Sequence, residues 1–191
     1  SKTLYIQKWP WAGGPDLPWW KFQNRPDPTY RDYELLKNRL TTASEIAYSI
    51  DIGGRTAKYL NNDVTGLSVS ASTHEIYNIR DLEIEEGRYF TENESERGTT
   101  VAIIGSNIAE GLFPQGGAIG RSISLMGRKM TVIGIFKKDG EGQLIDVSMD
   151  NVIMIPFNLA RNLVNVRRFG PSIIVDAGPE VSLDEAESEL R

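Results

Sequence analysis

Apolar and polar positions along the 191-residue chain follow two periods. Ile46, Tyr48, Ile50 and Ile52 alternate with Ala47, Ser49 and Asp51, the period of a strand with one buried face. Leu67, Val69 and Ala71 repeat that alternation within residues 64–72. Between the two runs, Gly53-Gly54 predicts a two-residue hairpin turn, Arg55–Leu60 a return strand, and Asn61-Asn62-Asp63 a second turn. Upstream, Tyr30, Tyr33, Leu36 and Leu40 recur every three or four residues, which predicts an amphipathic helix over 28–40. Asp27 is its predicted N-cap and Pro28 its first helical residue. Residues 2–8 read as a strand, and the prolines of segment 9–28 deny it regular structure.

Past residue 72 the runs shorten. A short helix is predicted over 74–81, then an acidic, turn-rich stretch over 81–98. Thr100–Gly105 is a buried strand and Ser106–Phe113 a short helix. Ser122–Leu125 and Lys129–Phe136 pair around Met126-Gly127-Arg128. Asn151–Ile155 is a strand stopped by Pro156, which opens a helix over 157–164. Ser172–Ala177 is a last strand, and Ser182 with Glu185 forms a capping box for a terminal helix. Few helices and mostly hairpin-linked strands predict an α+β fold with antiparallel or mixed sheets, and argue against a doubly wound nucleotide-binding fold.

Composition removes most chemistries. Without cysteine there can be no disulfide, thiolate metal site or cysteine nucleophile. The single histidine, His74, excludes a multi-histidine metal site, and its place at a strand-to-helix junction predicts a capping or surface role. A net charge of −5 argues against nucleic acid as the main partner. No window approaches the length of a membrane span, no signal peptide is evident, and both ends read as cut points inside a longer protein. The glycines of Gly116–Ser122 lead into a strand, so a turn is expected there and no phosphate loop. The acidic run, Glu85, Glu86 and Glu92 included, matches no calcium loop and reads as a solvated face. No nucleophile, base and oxyanion site assemble, so no enzyme, cofactor or metal is predicted. One feature stands apart: all four tryptophans, Trp9, Trp11, Trp19 and Trp20, lie in the first twenty residues. They are the candidate contact residues, for a partner, a glycan or a membrane interface.

Four stretches resemble one family in order. They are Tyr77-Asn-Ile79 with Leu82 to Gly87-Arg88-Tyr-Phe90; Val101-Ala-Ile-Ile-Gly105 with Leu112-Phe113-Pro114; Ala118-Ile119-Gly120 to Ile123, with Gly127 and Val132-Ile-Gly134-Ile135; and Asn151 to Pro156. Over residues 74–164 the chain resembles the MacB-like periplasmic core domain of ABC transporter permeases in the FtsX-like superfamily. Segment 9–28 departs from the pattern and looks like an insertion.

The resemblance implies the periplasmic loop domain of an inner-membrane permease. It implies a porter-like, membrane-proximal subdomain formed by 1–72 and 166–191, with a β-rich subdomain, 73–165, inserted into it. It further implies coupling of ATPase-driven motion to substrate export or lipoprotein release. The implied partners are a cytoplasmic ATP-binding module, a periplasmic adaptor and a second copy of the permease. At least two of the four tryptophans are then expected to pack against the sheet or helix 28–40. Two other readings compete. One is a secreted module that uses the tryptophans on glycans or proteins; the other is a hydrolase that uses carboxylates of the acidic run.

Overall fold

The computed structural model describes residues 3–8, 26–40, 43–139 and 148–177. In chain order its elements are β1 (Thr3–Ile6), α1 (Tyr30–Arg39), β2 (Glu45–Tyr59), β3 (Asn62–Ser72), α2 (Ile76–Ile79), β4 (Ile84–Gly87), α3 (Glu92–Arg97), β5 (Val101–Ile104), α4 (Ser106–Leu112), β6 (Ser122–Leu125), β7 (Arg128–Phe136), β8 (Val152–Pro156), α5 (Phe157–Ala160), a 3-10 helix (Val166–Phe169) and β9 (Ser172–Asp176). The α+β expectation with a mixed sheet holds. The strands join in the order β1-β9-β2-β3-β8-β5-β7-β4. Pairs β3–β8 and β5–β7 are parallel and the others antiparallel. Strand β6 bonds to both β2 and β7, so β2, β3, β8, β5, β7 and β6 close a ring.

The sequence alternation sorts the core. Ile50, Ile52, Leu67, Val69, Ala102, Ile104, Ile123, Met130, Val132, Ile153 and Ile155 share one face of the sheet and form the main apolar cluster. Residues of opposite parity, among them Ala47, Ile103, Met154 and Ile174, face a second cluster with Ile76, Ile79, Phe90 and Phe136. Helix α1 joins the main cluster through aromatic rings. Tyr30 stacks on Phe157 at 5.1 Å, and Tyr48 meets Phe157 edge-on at 4.7 Å.

Three expectations are corrected. Gly53-Gly54 makes no hairpin turn: β2 runs through it, and the register with β3 shifts between Ile52 and Arg55 and again before Ala57. Gly54 and, on the facing strand, Gly66 take left-handed φ values of 66° and 71°. This bulge bends the hairpin where β2 stops pairing with β9 and starts pairing with β6. The chain reverses at Leu60-Asn61, with Tyr59 opposite Asn62. Helix α1 is capped by Thr29 and not by Asp27. Thr29 Oγ1 accepts from the Asp32 N–H at 3.2 Å, and the Asp32 carboxylate accepts from the Thr29 N–H at 2.8 Å. That reciprocal box satisfies two otherwise unpaired donors, which Asp27 does not. The helix predicted over 157–164 ends at Ala160 and continues as turns. The expected terminal helix lies outside the described residues.

Register brings the first and last described strands together. Thr3, Asp176 and Glu45 form one row across β1, β9 and β2, and Ile6, Ile173 and Tyr48 form another, about 10 Å away at ~3.3 Å per residue. The first and last described strands are thus neighbours, and they meet at the Thr3–Asp176 row. Among the described residues no helix is long and apolar enough to cross a membrane.

Candidate functional site

A polar concavity lies where α1, the turn before α2, and α3 converge. A cleft of about 520 Å³ is lined by Tyr33, Lys37, His74, Glu75, Glu92 and other residues of these elements, and by Asn158. Local bonding explains its shape. Tyr48 and Thr73 exchange hydrogen bonds: the Tyr48 N–H donates to Thr73 Oγ1 at 3.0 Å and the Thr73 N–H to the Tyr48 carbonyl at 3.0 Å. This pins the 73–75 turn over the sheet and aims Glu75 at α1. Lys37 Nζ donates to Glu75 Oε1 in an ion pair, and the Tyr33 hydroxyl donates to the same oxygen at 3.2 Å. Glu75 Oε2 is buried without a hydrogen-bond partner.

The electrostatics follow from this geometry. Burial works against both charges of the pair. The mutual hydrogen bond and attraction outweigh it, so the Glu75 carboxyl lies below and the Lys37 ammonium above its usual value. Burial pushes the Tyr33 and Tyr48 hydroxyls up to about 12. Tyr89, half-buried with its hydroxyl 3.1 Å from Met154 Sδ, is likewise pushed up by burial. These groups are held in single protonation states at neutral pH. The cleft thus holds a clamp between α1 and the turn that opens α2.

Acidic residues are dispersed. Glu85 and Glu86 are exposed on β4, and Glu92 is exposed at the start of α3. Glu94 closes a capping box with Thr91 and takes a bidentate pair from Arg88, at 2.7 and 2.9 Å. Of the acidic run, Glu92 and Glu96 line the cleft beside Glu75, whereas Glu85 and Glu86 lie apart from it on β4. Among the described residues no group of three or more His, Asp or Glu could hold a metal. His74 contacts Tyr89 and Phe90 edge-on, with ring centroids 5.8 and 6.4 Å away. The 116–120 loop turns through left-handed Gly116, Gly117 and Gly120 into β6, as expected. The Lys37–Glu75 clamp was not predicted. Its partners are 38 residues apart, and no local spacing signals it.

Trp9, Trp11, Trp19 and Trp20 lie outside the described residues. The flanking residues locate the tethers of their segment. Gln7 Oε1 accepts from Ser172 Oγ at 3.3 Å, and the Pro28 carbonyl accepts from the Tyr48 hydroxyl at 2.9 Å. Both tethers sit toward the Ile6–Ile173–Tyr48 row, away from the Thr3–Asp176 row.

The Arg88–Glu94 pair predicts an acid response. Led by the Arg88 hydrogen bond, its surroundings lower the Glu94 pKa from 4.5 to about 2. A depressed folded-state pKa contributes stability above the unfolded value, and that stability is lost as pH falls from about 4.5 toward 2. Thermal melts from pH 7 to pH 2 should show Glu94→Gln less stable than the parent at pH 7, the gap narrowing below pH 4.5 and closing toward pH 2. A constant gap across that range would disprove the coupling.

Comparison with known proteins gives one consistent match. The whole chain, residues 1–191, matches the family described as the MacB-like periplasmic core domain. Over 111 residues it is 32% identical to the macrolide export ATP-binding/permease protein MacB of Neisseria gonorrhoeae, covering 58% of this chain and 17% of that protein. Over 106 residues it is 29% identical to the uncharacterized ABC transporter permease YknZ of Bacillus subtilis, covering 56% of this chain and 26% of that protein. The matched stretch thus spans about a sixth to a quarter of these curated relatives. Among solved structures, the periplasmic region of MacB from Actinobacillus actinomycetemcomitans shares the fold at TM-score 0.76 and 16% identity, covering 98% of this chain and 79% of that one. The extracellular domain of YknZ from Gram-positive bacteria does so at TM-score 0.67 and 22% identity, covering 85% and 78%.

Proposed function

The chain belongs to the MacB-like periplasmic core domain family, and from that premise we propose that it is the extracytoplasmic loop domain of an ABC transporter permease that relays motion between membrane and partners. One observation carries the reading. Strands β1 and β9 pair antiparallel with Thr3 opposite Asp176, so the start of the first described strand and the end of the last lie side by side on one row. A domain joined to two membrane-spanning helices needs that arrangement. A relative shift of the two helices would then act directly on β1 and β9, and through β9 on β2, which reaches into the strand ring.

In this reading 1–72 and 166–191 form the membrane-proximal part and 73–165 the distal part, joined by the parallel β3–β8 pair and the antiparallel β2–β6 pair, so the tip of the β2–β3 hairpin reaches the distal part. ATP is hydrolysed elsewhere in the transporter, by a cytoplasmic module, and no residue of this domain takes part. The domain sits in the periplasm of an inner-membrane permease that works as a homodimer. Its distal part engages an adaptor while the transporter exports a substrate or releases a lipoprotein.

The test is topological. The gene read about fifty codons outward on each side should encode an apolar stretch long enough to span a bilayer. In spheroplasts, an Arg128→Cys variant of the full permease should react with a membrane-impermeant maleimide. Absent spans, or labelling only after lysis, would overturn the proposal.

A further inference from the structure

We infer that Leu60, at the tip of the β2–β3 hairpin, is an anchor that inserts into an apolar pocket of a soluble extracytoplasmic protein. The inference rests on the reading above for the placement of the chain ends. Two independent observations single this residue out. It is the most exposed of the large apolar side chains among the described residues, at 85%. It also opens the hairpin turn with φ at +49°, in the left-handed region that glycine and asparagine occupy freely and leucine does not. The neighbouring Asn61 and Asn62 are the residue type such a turn favours, yet Leu60 holds the strained position. A residue poor both for the turn and for solvent is one whose use lies outside fold stability.

The tip is also rigidly presented. The Tyr59 ring lies 4.4 Å from that of Phe113, and Asn62 Nδ2 donates to the Leu112 carbonyl at 3.1 Å. Gly111 of α4 comes so near β3 that a Cβ there would stand 2.6 Å from Val64 Cγ2. Leu60 therefore projects from a fixed base, which lowers the ordering cost of binding. The partner's class follows from position and polarity. Lys58, Asn61 and Asp63 around the tip are exposed and polar, so a single apolar side chain is offered to a pocket, with no broad apolar face for lipid. The fifteen residues of β2 run from Glu45, on the Thr3–Asp176 row, to the base of the tip, about 50 Å of bent strand at ~3.3 Å per residue. The tip therefore lies at the end of the hairpin remote from that row.

The experiment uses the full-length permease in its own cells, with the photo-crosslinker p-benzoylphenylalanine at position 60 or, as a control, at position 128. Position 60 should give one discrete adduct with an extracytoplasmic protein, and position 128 should not. That protein, purified, should bind the domain at least tenfold more weakly when Leu60→Asn is introduced. The same variant should raise the melting temperature of the domain by about 3 °C, because asparagine suits the turn. Loss of binding with a gain in stability separates an anchor from a structural residue. No adduct, a lipid adduct, an adduct only with a second permease copy, or unchanged binding by Leu60→Asn each overturns the inference. Maleimide labelling of Arg128→Cys, introduced together with the crosslinker at position 60, reports separately on the topology, so an externally exposed permease without the adduct removes this inference alone.

Discussion

Gly87→Ala is expected to cost on the order of 4 kcal/mol of folding stability, a large share of the roughly 5–15 kcal/mol available to a domain. Two effects add. Gly87 sits at φ +81°, where a side chain is strained whatever space surrounds it. A Cβ there would also stand 2.2 Å from the Ile133 carbonyl oxygen and 3.0 Å from Gly134 Cα, both backbone atoms. The backbone cannot yield easily. The Arg88 N–H donates to that same Ile133 carbonyl at 2.9 Å, and β7 is held by β4, β5 and β6. Gly127→Ala is the comparison. Its φ of +73° is equally left-handed, but a Cβ would meet nothing within 4 Å, so about 1 kcal/mol is expected. Urea unfolding of both variants measures the difference, and equal losses would show that contact at Gly87 is relieved by movement.

Phe157→Ala is expected to remove about 3–5 kcal/mol. Phe157 is 1% exposed and lies at the meeting point of α1, β2 and α5. Truncation leaves a cavity bordered by Tyr30 and Tyr48, and it removes the stacked partner of Tyr30. The loss should therefore be local as well as global. Amide exchange should accelerate along α1 more than along β5. Phe157→Leu, which refills most of the volume, should lose much less. Uniform acceleration in both elements would mean that Phe157 supports the core alone and does not hold the helix.

Much of this fold was readable because its strands alternate. Residues 45–52 and 67–71 reveal the face of the main cluster by period, although Ala47, Ser49 and Ser70 on the other face are buried too, and every strand except β4, which lies in the stretch read as acidic turns, was placed within a few residues. The family motifs were legible for the same reason, and their glycines now separate by cause. At Gly87, Gly105 and Gly134 backbone atoms pass too close for a Cβ, whereas at Gly120 and Gly127 only the left-handed φ demands glycine. What stayed hidden were choices between equal local signals and contacts across long separations. Gly53-Gly54 suits a turn or a bulge equally well, and the pairing of β2 with β6 decides for the bulge. Asp27-Pro28 and Thr29-Arg31 with Asp32 both offer helix starts, and the reciprocal box prevails. The Lys37–Glu75 clamp and the closed ring depend on residues dozens of positions apart, which periodicity does not encode. Leu60 was read as the end of a strand; its strain became visible only once the turn was located.

The pairing of β1 with β9 also sets an order of events during synthesis. Among the described strands β1 pairs with β9, and Asp176 is made 173 residues after Thr3. At ~5–20 residues per second the first strand waits roughly ten to thirty seconds for its neighbour. Strands β2 and β3, joined by two residues, can pair long before that. The strand through which the chain enters is therefore among the last to be fixed. The domain closes on its own entrance only when the final strand arrives, and until then an apolar edge has to be kept from other chains.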